Sequence, residues 1–168
     1  MKRSWKAITI LFMTLCIVMS LAHVLELLAK LRYGGQDNAR IHTTLSVAWR
    51  PPAVGGFIEP STIVSTLFLA SASRGDIVAA RLLLTAFGYM MLAFPVVCYR
   101  RDAPTNAAFI QSATTGIIPV DWAEWRMKWE SGHAIRLVLS LSAFVLTAFQ
   151  LTRGNVKTAA TAGHPKNR

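Results

Sequence analysis

Cysteine is nearly absent: the chain has two, Cys16 and Cys98, and both fall inside apolar runs. Thiols so placed exclude a disulfide framework and say nothing about redox compartment. Neither stands at metal-ligand spacing, and both read as small buried apolar side chains. Acidic residues are scarce too, eight against eighteen Lys and Arg, for a formal charge of +10. That balance raises the question of nucleic acid, but the basic residues are scattered among apolar runs, and no recognised binding module accompanies them. Nucleic acid is therefore excluded as a partner, and charges flanking membrane spans account for the excess. Charged residues of either sign make up only 15% of the 168 positions, against 53% apolar, and the mean hydropathy is +0.40. A chain this apolar is no ordinary soluble domain, and one this short forms a single compact unit.

What the chain does have is apolar segments of membrane-crossing length. Four of them, about residues 7–28, 57–73, 77–99 and 133–151, reach or approach the span of a helix across a hydrocarbon core of about 30 Å. The expected fold is all-α: a four-transmembrane-helix bundle over residues 1–152, with a disordered polar tail at 153–168. Ser20-Leu21-Ala22 imitates a signal cleavage site, but the apolar stretch outlasts a signal core and runs on into HVLELLAKL, so it reads as a retained helix. Pro60 suits the first turn of the second span, and Pro95 is expected to kink the end of the third. The Gly and Pro pairs of residues 31–56 predict an extended loop with a short amphipathic or extended element at IHTTLSVAW. The stretch APTNAAFIQSATTGIIPV, uncharged but rich in Thr, Asn and Gln, predicts an interfacial helix or re-entrant segment before the last span. Four crossings put both termini on one side. Lys and Arg divide evenly between the two sides, so orientation rests on Lys2, Arg3 and Lys6 beside the first span. These predict cytoplasmic termini, in a bacterial inner membrane.

Two stripes of costly side chains stand out. In DWAEWRMKWESGHAIR, residues Trp122, Trp125, Trp129, His133 and Arg136 are spaced three, four, four and three apart, which gathers them within about 80° of a helix. Arg126 lies at the edge of that sector, while Glu124 and Lys128 point away. In the first span Cys16, Met19, His23, Glu26 and Lys30 repeat at three, four, three and four. An ionisable group inside an apolar helix costs about 2.5 kcal/mol or more unless paired or wetted, which makes His23 and Glu26 functional candidates. Antiparallel crossings bring both stripes to one membrane face. Each has a plainer reading as well: tryptophan anchors an interface, arginine snorkels, and Glu26 with Lys30 is an i, i+4 pair. His42, Trp49 and His164 read as residues without a role at the site.

The order HVLELLAK, then APTN, then W-x-x-W-R-x-x-W-x-x-x-H-x-x-R resembles a four-helix membrane family of mostly uncharacterised proteins that includes the fungal anthrone oxygenases. The resemblance covers about residues 15–150 and rests mainly on 104–136. It implies the four-helix architecture, with Asn106, Trp122, Arg126, Trp129, His133 and Arg136 at motif positions and His23 and Glu26 as companions. It also implies insertion of oxygen from O₂ into an anthrone- or quinol-like molecule. Glu26 or His133 would serve as base, Arg136 or Arg126 as anion stabiliser, and the tryptophans, Trp125 included, as a platform for a flat substrate. The loop at 31–56 and the basic amino terminus depart from that pattern. Two other readings stand beside it: a haem or metal carrier with His23 and His133 as axial ligands, and a non-catalytic membrane scaffold. The residues name no cofactor and no metal set. The partners expected are a hydrophobic small molecule and membrane lipid, with assembly into a homo-oligomer left open.

Overall fold

A computed structural model describes residues 2–48 and 51–162, all of whose regular structure is helical. Helix α1 runs from Lys2 to Lys30, α2 from Gly35 to Ala48, α3 from Pro51 to Ala72 and α4 from Ile77 to Met91. A π-helical stretch, Leu92–Asp102, continues α4 into α5, Ala103–Thr115, and α6 runs from Trp122 to Ala162.

Local chemistry sets these ends. Helix α1 meets no Gly or Pro until Gly34, and its last carbonyls are capped from a distance: Arg126 Nη1 donates to Lys30 O and Tyr33 O, each at 3.1 Å. Asp76 caps α4, its carboxylate accepting from the Val78 and Ala79 amides at 3.1 Å, a placement that satisfies orphan donors and favours negative charge at a helix start. Gly116 ends α5 in the left-handed region at φ 70°, where a side chain would be strained.

The structure corrects two expectations. Residues 31–56 are not an extended loop: α2 and the first turns of α3 occupy the described part, with Trp49 outside the described residues. Asp37 sits in the first turn of α2, and Asn38, Ala39 and His42 form one buried face, so tertiary packing outweighs the Gly and Pro signals. Because α3 starts at Pro51, Pro60 lies within the helix and not in its first turn, where it has no N–H to donate to the Gly56 carbonyl. Helix α6 continues to Ala162; residues 163–168, including His164, lie outside the described residues.

Pro95 has a larger effect than a kink. It cannot donate to the carbonyl four residues back, and the helix around it widens to π spacing, so that Ala103 N–H bonds to Cys98 O. The chain stays helical through Ala103–Thr115, and the third candidate span reads Ile77–Ser112 without a break. At 36 residues it is about 54 Å long, well beyond the core thickness. Its last turns pack against α2.

Among the described residues four helices are long and apolar enough to cross a membrane, over Ser4–Lys30, Val54–Ala72, Ile77–Ser112 and Trp122–Arg153. They pack as an antiparallel bundle, making this a multi-pass helical membrane protein. Leu11, Val18, Leu25, Val64, Val138, Val145 and Phe149 are exposed on its outside. Inside, Met13, Cys16, Ala86, Met90, Ala93, Phe94 and Ala143 form one cluster. Small polar residues line the contacts between helices: Thr9, Thr62, Thr66 and Thr147 are fully buried, and each hydroxyl donates to the carbonyl four residues earlier at 2.7–2.9 Å. Satisfied within their own helices, such side chains let neighbouring backbones approach closely.

Candidate functional site

The two stripes meet. His23 of α1 and His133 of α6 lie edge to face with ring centroids 4.2 Å apart, and Trp129 touches both, at 4.7 and 4.1 Å. Counted along the helices, His23 lies about 10 Å before the end of α1 and His133 about 16 Å inside α6. Asn106 completes the aromatic cluster from α5, its Oδ1 accepting from Trp129 Nε1 at 2.9 Å. Asn106, Trp129 and His133, separated by up to 27 positions in the sequence, thus share one spot.

Hydrogen bonding dictates how each imidazole holds its proton. Lys30 Nζ lies 3.3 Å from His23 Nδ1. An ammonium only donates, so His23 Nδ1 accepts and its proton resides on Nε2. His133 is the reverse case. Its Nδ1 lies 3.0 Å from the Trp129 carbonyl, an acceptor only, so Nδ1 carries the proton and Nε2 keeps the lone pair. The touching rings are thus a donor and a base.

Lys30 is the hub of the outer part of the site. Only 6% exposed, its ammonium pairs with Glu26 at 2.9 Å, faces the buried Glu130 at 3.7 Å and sits 4.9 Å above the Trp129 ring. A second ion cluster lies deeper. Arg136 is bonded through Nη1 to Asp102 at 2.8 Å and through Nη2 to Glu59, with its guanidinium 4.8 Å over Phe94. Gly132 makes this possible, because a Cβ there would collide with the Asp102 carboxylate. Asp102 Oδ1 in turn lies 3.8 Å from His133 Nδ1, tying the histidine pair to the ion cluster.

Several predicted site residues take other places. Glu26 has a side chain 55% exposed and serves Lys30 from outside. Arg126 caps α1 and stacks over Trp122 at 4.8 Å, and Trp122 covers Gly35, where a Cβ would come within 3.0 Å of the indole. Trp125 donates to Asp121 at 2.8 Å under Lys128, away from the histidines. Of the two arginines proposed as anion stabilisers, Arg136 therefore has both terminal nitrogens engaged by carboxylates, and Arg126 has Nη1 engaged by two carbonyls.

Other residues join the site unannounced. His42, set aside in the sequence reading, stacks on Phe109 at 4.5 Å and 11° and meets Trp129 edge-on at 4.5 Å. Burial, and after it the positive charge of Lys30 and the neighbouring His23, push its imidazole down to about 4, so it is neutral at physiological pH. Glu59 and Asp102 lie at or near the ends of apolar runs, and the rule that singled out His23 applies to Glu59 equally. For His42 no such signal existed, since its surroundings read as a loop.

Among the described residues no group of three or more His, Cys, Asp or Glu is arranged to hold a metal ion. The His23 and His133 rings are in direct contact, which leaves no room between them for a porphyrin whose two faces they would have to ligate. No family model matches the chain, and neither a curated protein nor a solved structure matches it.

Proposed function

We propose that this membrane protein is an oxidoreductase acting on a hydrophobic aromatic molecule, anthrone- or quinol-like, with dioxygen as oxidant. The observation that carries the reading is the pair of touching imidazoles in opposite tautomers, a base at His133 Nε2 and a donor at His23 Nε2. A C–H activated by an aryl carbonyl gives its proton to His133, and the electron pair passes into the enolate, whose oxygen accepts from His23. The carbanion carbon bonds to O₂, and the proton held on His133 returns to give a hydroperoxide. Loss of water then leaves a ketone, so that one CH₂ and one O₂ become one C=O and one H₂O. An acid–base pair in an apolar enclosure supplies the protein's share of this chemistry. Arg136, held by two carboxylates, orients Asp102 toward His133 and acts as a positioning residue.

The resemblance to the anthrone oxygenase family supports the same chemistry, and two of its motif positions, Asn106 and Trp129, are hydrogen-bonded to each other. In this reading both termini lie in the cytoplasm of a bacterial inner membrane, α2 and α5 lie at the opposite interface, and lipid covers the exposed apolar girdle. The test is oxygen uptake by the full chain in lipid nanodiscs with anthrone as substrate, in air and under anaerobic conditions. His133→Ala is expected to lower the rate at least about 100-fold, whereas His23→Gln, which keeps an N–H donor, retains more activity than His23→Leu. Wild-type rates equal to empty nanodiscs, or full activity in a folded His133→Ala protein, would overturn the assignment.

A further inference from the structure

The inner face of α2 carries polar atoms for which the described residues offer no counterpart. Asn38 is 2% exposed and His42 7% exposed, and at i, i+4 they project from the same side of the helix. Asn38 Nδ2 and His42 Nε2 are both buried and find no hydrogen-bond partner among the described residues. Leaving two such groups unpaired costs about 1–3 kcal/mol each, a cost that a ligand removes if it brings the matching atoms.

The surroundings specify that ligand. The amide nitrogen of Asn38 only donates, so the ligand presents an acceptor. The surroundings are aromatic: the His42 ring lies parallel on the Phe109 face, and the Trp129 ring meets it at 90°. A face that packs an imidazole flat against Phe109 suits other planar rings. Lys30, close enough to act on the charge of His42, favours an electronegative atom there. Helix α2 packs chiefly against α5 and follows the Gly34–Gly35 pair, so an outward shift of this short helix opens the space beside Phe109.

We propose that α2 forms the polar wall of a binding site for an aryl carbonyl, a quinone or aromatic ketone, whose oxygen is held by Asn38 Nδ2 and His42 Nε2 while its ring takes the place against Phe109 that the His42 ring fills in this structure. This deepens the oxidoreductase reading and rests on it for the biological role, but binding is measured without turnover.

The probe is duroquinone, and the control is durene, which has the same shape without the oxygens. Equilibrium dialysis against the full chain in nanodiscs, corrected for empty nanodiscs, is expected to give saturable duroquinone binding about tenfold tighter than durene. Asn38→Leu and His42→Phe each weaken duroquinone about tenfold and leave durene unchanged, whereas His42→Gln, which keeps a polar hydrogen-bonding end, stays within about threefold of wild type. No saturable duroquinone binding, equal affinity for the two probes, or variants that bind duroquinone like wild type would overturn the proposal. The last is the result expected if ordered water fills these valences. Loss of both probes in His42→Gln would also overturn it, by making position 42 purely structural. Binding as described without oxygen uptake would leave this site standing and remove the oxygenase reading.

Discussion

Replacing Arg136 by methionine tests the deeper ion cluster. The Arg136 side chain is 8% exposed, and its partners Asp102 and Glu59 are 2% and 16% exposed, so the substitution strands two carboxylates in a low-dielectric interior. Breaking a buried pair in this way costs about 3–5 kcal/mol, because the remaining charge has no solvent to return to. The guanidinium also loses its contact with Phe94, worth about 0.5–2 kcal/mol, while the methionine side chain recovers part of the packing. A net loss of about 3–5 kcal/mol is therefore expected. Reversible unfolding in mixed micelles, with tryptophan fluorescence followed against SDS fraction, measures it. Adding Asp102→Asn and Glu59→Gln removes the stranded charges and is expected to restore at least half of the loss, since the penalty belongs to uncompensated charge and not to the missing arginine itself. A loss below about 1 kcal/mol in Arg136→Met, or a triple variant no more stable than the single one, would refute this account of the cluster.

The remaining expectations concern the packing around the site. His42 is held at about 4 when folded, against an ordinary value of 6.5. The unfolded chain therefore binds the extra proton between those values, and the contribution is complete above about pH 6.5 and lost as pH falls through 4, on the order of 3 kcal/mol. Protection factors of the α2 amides, with the intrinsic pH dependence of exchange divided out, should fall between pH 7 and pH 4.5, and a His42→Gln protein with the same fall would assign it to another group. Gly132→Ala should destabilise by about 1–3 kcal/mol through its collision with Asp102, read as a shift in the same micelle titration; a neutral result would mean that α6 and the π-helical stretch separate freely. Gly35→Val should displace Trp122 and alter its fluorescence in a protein lacking the other tryptophans, an unchanged spectrum counting against that contact. Glu124→Cys, at an exposed position, should be labelled by an impermeant maleimide from outside spheroplasts, and labelling only after lysis would reverse the proposed orientation.

Much of this was legible in the residues. Apolar run lengths mark four spans because a helix in lipid must satisfy every backbone group within itself. The spacing of Trp129, His133 and Arg136, and of His23 and Lys30, assigns each set to one face of its helix, since the 3.6-residue period is local geometry. The boundaries of α2 and the length of the third helix were not legible. Asn38, Ala39 and His42 form a stabilising face only once α5 lies beside them, and the widening at Pro95 lets the helix continue where proline ordinarily stops it. Partner choice escaped in the same way. Glu26 and Arg126 have the composition of site residues, yet one faces outward and the other caps α1. The chain by itself determined which side chains share a helical face and that four segments are long and apolar enough to cross a membrane, because both follow from the period and hydropathy of contiguous residues. Only the tertiary packing decided that the His23 and His133 rings touch and that Arg136 lies between Glu59 and Asp102, because those contacts join residues 34 to 110 positions apart.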